Sequence, residues 1–128
     1  MFRHIITLFL LISGISITLP GDDSLFCNMS ALTRAERERQ HALGAKLMNA
    51  VIRRDELPDG YALVLDPKKL PLTELGEWVA FEARCCPFLD FDISLQGKGE
   101  PVTLRLTGKN ADLKSFLREE IRAFRHAG

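Results

Sequence analysis

Glu82, Cys85 and Cys86 fall within five consecutive positions, just ahead of Pro87. They lie in the stretch Leu72-Thr-Glu-Leu-Gly-Glu-Trp-Val-Ala-Phe-Glu-Ala-Arg-Cys-Cys-Pro-Phe-Leu-Asp-Phe91, which begins as an amphipathic helix and ends as an alternating strand. At roughly 100° of rotation per helical residue, Glu82 projects within about 20° of Leu75, in the middle of an apolar stripe with Trp78, Val79 and Cys86. Arg84, Glu77 and Glu74 point away from that stripe. A carboxylate and two thiols therefore share the face meant for the core. A carboxylate there is costly unless it is protonated, paired or metal-bound.

Three chemistries suit these residue types. The first is metal binding. Thiolates of Cys85, Cys86 and the third cysteine, Cys27, with Glu82 as ligand or support, favour soft ions such as zinc, copper(I) or mercury(II). Adjacent cysteines diverge by about 100° on a regular helix, but Pro87 ends the helix and leaves Cys86 free to turn. The second is thiol redox chemistry or nucleophilic catalysis. A helix C-terminus raises a nearby thiol's pKa, and an ionised Glu82 would do the same, so the reactive thiolate is suppressed. A Cys85–Cys86 bridge is strained, because trans neighbours sit about 3.8 Å apart at Cα. A Cys27–Cys86 bridge is sterically easier but is not dictated by the sequence. In the third reading the cysteines are small buried fillers, and the domain is a non-catalytic interaction module. Three cysteines do not make a disulfide framework. No histidine has a catalytic partner at a telling spacing, so the sequence leans against an enzyme. His41 is expected as an exposed helix residue and His126 as part of a final helical turn.

The elements that must position these residues follow from periodicity. Leu25 to Ala31 reads as a short strand with Leu25, Cys27 and Met29 on one face. Thr33-Arg-Ala-Glu36 is a capping box. The helix it opens is expected to run to about Arg54, with a polar first two turns in solvent. Leu57-Pro-Asp-Gly60 is a turn in which Gly60 is free to take a positive dihedral. Tyr61 to Asp66 is apolar on both faces and reads as a central strand. Phe88 to Gln96 and Val102 to Thr107 alternate as a hairpin across Gly97-Lys-Gly-Glu-Pro101. Asn110 caps a last helix with a stripe of Leu113, Phe116, Leu117, Glu120, Ile121 and Phe124. The order strand, helix, strand, helix, strand, strand, helix predicts an α+β fold, one small mixed sheet of about four strands packed against helices.

Bulk properties narrow the function. The 128 residues suit one folded domain, residues 22–128, behind a leading segment. Lysine plus arginine equals aspartate plus glutamate at 17 each, so no basic surface for nucleic acid is expected. The alternating run Arg34-Ala-Glu-Arg-Glu-Arg39 reads as a solvated helix face. Residues 1–21 open with Arg3 and continue apolar from Ile5 to Leu19, the shape of an export signal. Export to the periplasm or outside is the expectation. A membrane anchor through residues 1–21 and, with a start codon placed too far upstream, a cytoplasmic domain are the alternatives. A protein partner is left open.

The run Glu82-Ala-Arg-Cys-Cys-Pro-Phe-Leu-Asp-Phe91 resembles a pattern of small, largely uncharacterised bacterial domains. They are similar to a module sometimes found C-terminal to MerR-type metal-responsive regulators. The resemblance extends over about residues 25–121 and includes Cys27, Ala35-Glu36-Arg37 and Leu104-Arg-Leu-Thr-Gly108. It implies a metal- or thiol-sensing site and supplies no catalytic residues.

Overall fold

The structure is a computed structural model that describes residues 25–126. After a single 3-10 turn at Met29–Ala31 come α1 (Arg34–Ala50), β1 (Val51–Leu57), β2 (Gly60–Leu65), α2 (Leu72–Cys85), β3 (Asp90–Ser94), β4 (Val102–Thr107) and α3 (Leu113–His126). The four strands form one sheet in the order β1-β2-β4-β3, and every pairing is antiparallel. The α+β class and the four strands are as the sequence predicts, but the sheet is wholly antiparallel rather than mixed, because β1–β2 and β3–β4 are hairpins and β2 pairs antiparallel with β4. The leading segment, with its export or anchor reading, lies outside the described residues.

Two elements at the front differ from the sequence reading. The segment expected as a strand at 25–31 has no strand partner and ends in the 3-10 turn. Asn28 starts that turn, its side-chain oxygen accepting from the Ser30 amide. A short polar side chain that bonds its own backbone two residues on competes with a ladder. The fourth strand is instead β1, where helical spacing had suggested the end of α1. The helix stops at Ala50, and Val51-Ile52 brings β-branched residues that favour extended backbone. Pro58 and Asp59 then join β1 to β2 as a two-residue hairpin.

Gly60 begins β2 for a steric reason. It does not hold a positive φ, which among described residues occurs only at Gly97 and Gly99. A Cβ on Gly60 would lie 1.9 Å from the Leu106 carbonyl oxygen on β4. The absence of a side chain lets β2 and β4 pair closely at this corner.

The core lies between the helices and one face of the sheet. Tyr61, Leu63 and Leu65 of β2 and Val102, Leu104 and Leu106 of β4 alternate into it, against Leu43 and Leu47 of α1, Leu75 and Trp78 of α2, and Leu113, Leu117 and Ile121 of α3. The opposite sheet face carries Arg53, Asp55, Asp92, Ser94, Thr103 and Arg105 around Ala62 and Val64. β2 is buried along its whole length, as expected of a central strand.

Thr33 and Glu36 form the expected reciprocal cap on α1. Part of the charged run at 34–39 meets α2 rather than open solvent. Glu36 pairs with Arg84, Arg39 with Glu77 at 2.9 Å, and Lys46 with Glu74 at 2.7 Å. These pairs line the α1–α2 seam. His41 is exposed on α1.

Candidate functional site: a sulfur and carboxylate cluster

The last turn of α2 carries the site. Cys86 caps the helix, its amide donating to the Glu82 carbonyl at 2.7 Å. Pro87 follows and cannot extend the helix. Glu82, Cys85 and Cys86 are all buried, the two cysteines completely. The inward stripe read from the sequence is therefore real, and the carboxylate lies on it.

Cys27 reaches this turn from the N-terminal segment. The Asn28 amide donates to the Cys85 carbonyl at 2.7 Å, and Arg84 donates to the Ala31 carbonyl at 2.9 Å. Those contacts satisfy helix-end carbonyl groups and bring Cys27 over the helix terminus. Cys27 and Cys86 are joined as a disulfide, with Cα atoms 4.6 Å apart and a separation of 59 positions in sequence. Cys85 is the free cysteine, its sulfur 3.6 Å from that of Cys86. The bridge that the sequence left open is the one formed, and two of the three sulfurs that the metal reading needs are bonded to each other.

Gln40 completes the cluster. Its Nε2 donates to Glu82 Oε1 at 2.6 Å and lies 3.4 Å from Cys85 Sγ. The sequence reading placed the second turn of α1 in solvent and missed it. The signal was available: Gln40 sits three residues before Leu43 and seven before Leu47, on the same buried stripe. Glu82 Oε2 lies 3.4 Å from Cys86 Sγ, a contact that becomes a thiol-to-carboxylate hydrogen bond only when the disulfide is open.

Burial dominates the electrostatics. It pushes the Glu82 carboxyl up to about 7; Gln40's donated hydrogen bond opposes this and the charge of Glu120 adds to it. Burial also pushes the Cys85 thiol up, with the Glu82 charge acting in the same direction. Cys85 is thus the opposite of an activated nucleophile in this state.

The ligand atoms of Cys27, Glu82, Cys85 and Cys86 all lie within 4.8 Å of one another. These are the four residues the sequence singled out. Sulfurs around a tetrahedral zinc, with bonds of about 2.3 Å, are about 3.8 Å apart, and the Cys85–Cys86 separation of 3.6 Å fits that spacing. The Cys27–Cys86 bond does not, and must open before both sulfurs can be ligands.

Among the described residues no helix is long and apolar enough to cross a membrane. No known protein family matches this chain, and no curated protein or solved structure matches it either.

Proposed function

We propose that the reduced domain binds a soft metal ion through Cys27, Cys85 and Cys86, with Glu82 in support. The observation that carries this is the convergence of three sulfurs and a carboxylate within 4.8 Å. Zinc, copper(I) and mercury(II) are the ions such donors select. The resemblance of the Glu82 to Phe91 run to domains associated with metal-responsive regulators supports the same reading. So does Gln40, which holds Glu82 toward the sulfurs as an ordered partner. Export is part of the proposal, since a disulfide persists where the surroundings are oxidising. There the bridge holds the site closed, and reduction opens it.

A second reading rests on the bridge itself. The disulfide ties residue 27 to the end of α2, and Cys85 and Cys86 are completely buried. In that case the cluster is a staple in a non-catalytic interaction module.

The test is a titration of the full chain, reduced under anaerobic conditions, with zinc(II) and copper(I) against a chromophoric chelator. The metal reading expects binding tighter than roughly micromolar that is lost in Cys85→Ser and Cys86→Ser and absent from the oxidised protein. No binding to the reduced protein at any accessible concentration leaves the staple.

A further inference from the structure

The sulfur cluster adjoins a cavity of about 40 Å³, open to solvent at one end and lined by residues of the three helices and the sheet. Cys27 and Glu82 form its polar end; Trp78, Leu106, Phe116 and Leu117 are among its apolar walls. Glu120 of α3 also lines it and is exposed, which places this second carboxyl at the rim. A bare ion has no use for an apolar wall, because it gains nothing from hydrocarbon and loses its water.

Charge balance sharpens this. A divalent ion held by three thiolates and an ionised carboxylate leaves a net charge of −2 in a buried place. A monovalent organometallic cation held by one thiolate leaves none. Burying uncompensated charge is the larger penalty.

We propose that the reduced site takes a soft metal ion carrying one small alkyl group, of the alkylmercury(II) class, with the metal on the Cys27 sulfur and the alkyl group in the cavity. This rests on the metal reading above and names its substrate class. Size limits the group. A water molecule needs about 10–15 Å³ of such space, and a cavity known to take benzene has about 150 Å³. The space here buries a short alkyl chain and is too small to bury a phenyl ring.

Loading is a ligand exchange without oxidation or reduction. A dithiol first opens the Cys27–Cys86 bridge, reducing it to two thiols while the dithiol becomes its own disulfide. An alkylmercury monothiolate then delivers the metal to Cys27. The new bond is Cys27 sulfur to mercury, the broken one is carrier sulfur to mercury, and the Cys27 proton leaves on the carrier thiol. Cys85 and Cys86 stay protonated beside the bound metal, within 4.8 Å of the Cys27 sulfur, so the buried charge remains balanced.

The experiment uses the reduced full chain, freed of dithiol, with methyl-, ethyl- and phenylmercury(II) each presented on a small monothiol. Emission of Trp78, the sole tryptophan and part of the cavity wall, reports occupancy. One further buried methylene is worth roughly fourfold in affinity. Ethylmercury should therefore outcompete its monothiol carrier about fourfold better than methylmercury, and phenylmercury should do worse than both. Leu117→Phe, which fills the cavity, should erase the ethyl preference while mercury(II) binding persists. An ethyl group that gains nothing over methyl in the native sequence overturns the alkyl proposal, whatever the variant does. Mercury(II) bound without any alkyl preference leaves the metal reading standing alone. Failure of every mercury species to bind removes both.

Discussion

Gln40 Nε2 of α1 donates to Glu82 Oε1 of α2 at 2.6 Å, and both side chains are buried. The pair is the polar link between two helices whose other facing groups are apolar or pair at the rim. Replacing Gln40 by leucine keeps comparable volume and removes the donor. A buried acceptor left without its partner costs about 1–3 kcal/mol. Gln40→Leu should therefore lower unfolding free energy by that amount in denaturant titrations of the oxidised chain. It should also push the Glu82 carboxyl further up, because the lost hydrogen bond was the one holding it down. An unchanged midpoint would show that Glu82 does not rely on Gln40.

Glu82 sets a pH dependence of opposite sign to that of a salt-bridged acid. Its carboxyl rises from 4.5 to about 7 on folding, chiefly by burial. Between those values the folded chain holds a proton that the unfolded chain has released. Stability from this group thus falls as pH rises from about 4.5 to about 7 and stays low above that. The shift corresponds to about 3 kcal/mol. Glu82→Gln cannot ionise and should remove the slope. In metal-free oxidised protein the variant should gain on the native chain as pH rises, and the two curves should run parallel above about pH 7. A constant difference across the whole range would mean that Glu82 is ionised in the fold.

Gly60 tests the sheet corner. A Cβ there would meet the Leu106 carbonyl oxygen at 1.9 Å, and a backbone atom in a paired strand cannot swing aside. Gly60→Ala should cost several kcal/mol, in the range kept for strain and overpacking. Gly76 of α2 has nothing within 4 Å of its added Cβ, so Gly76→Ala is the control and should stabilise the helix slightly. Thermal melts of the two variants should therefore move in opposite directions.

The readable parts of the chain were those governed by period and punctuation. α2, the β3–β4 hairpin, the Thr33 cap and the central strand each announce themselves by spacing of apolar residues or by one capping side chain. Glu82 was legible as an anomaly, a carboxylate on an apolar stripe. β1 was not, because Val51 and Arg54 continue the helical spacing of α1 while their β-branched neighbour favours a strand; pairing with β2 decided the contest. Gly60 was recognised as special for the wrong reason, since close approach of two strands leaves no local trace. The Cys27–Cys86 bond depends on residues 59 apart in sequence, and only the folded path of the N-terminal segment brings them together.

The same separation governs what opening the bridge should do. Closing a loop of 59 residues restricts the unfolded chain by about 4 kcal/mol in the chain-entropy description. Cys27→Ala, or reduction by dithiol, should lower unfolding free energy by up to that amount. The segment is also held by Asn28 to the Cys85 carbonyl, Arg84 to the Ala31 carbonyl and Arg37 to the Leu32 carbonyl. These contacts do not depend on the disulfide, so circular dichroism should show the fold intact when it opens. A thiol count reads the three states. The native oxidised chain should show no reactive thiol, because Cys85 is completely buried. The denatured, unreduced chain should show one, and the denatured, reduced chain three. Three thiols without reduction would remove the bridge. If reduction left the segment undocked, Cys27 would move away from Cys85 and Cys86, and no ion could gather all three sulfurs. Retention of the fold after reduction is therefore the condition on which the metal site depends.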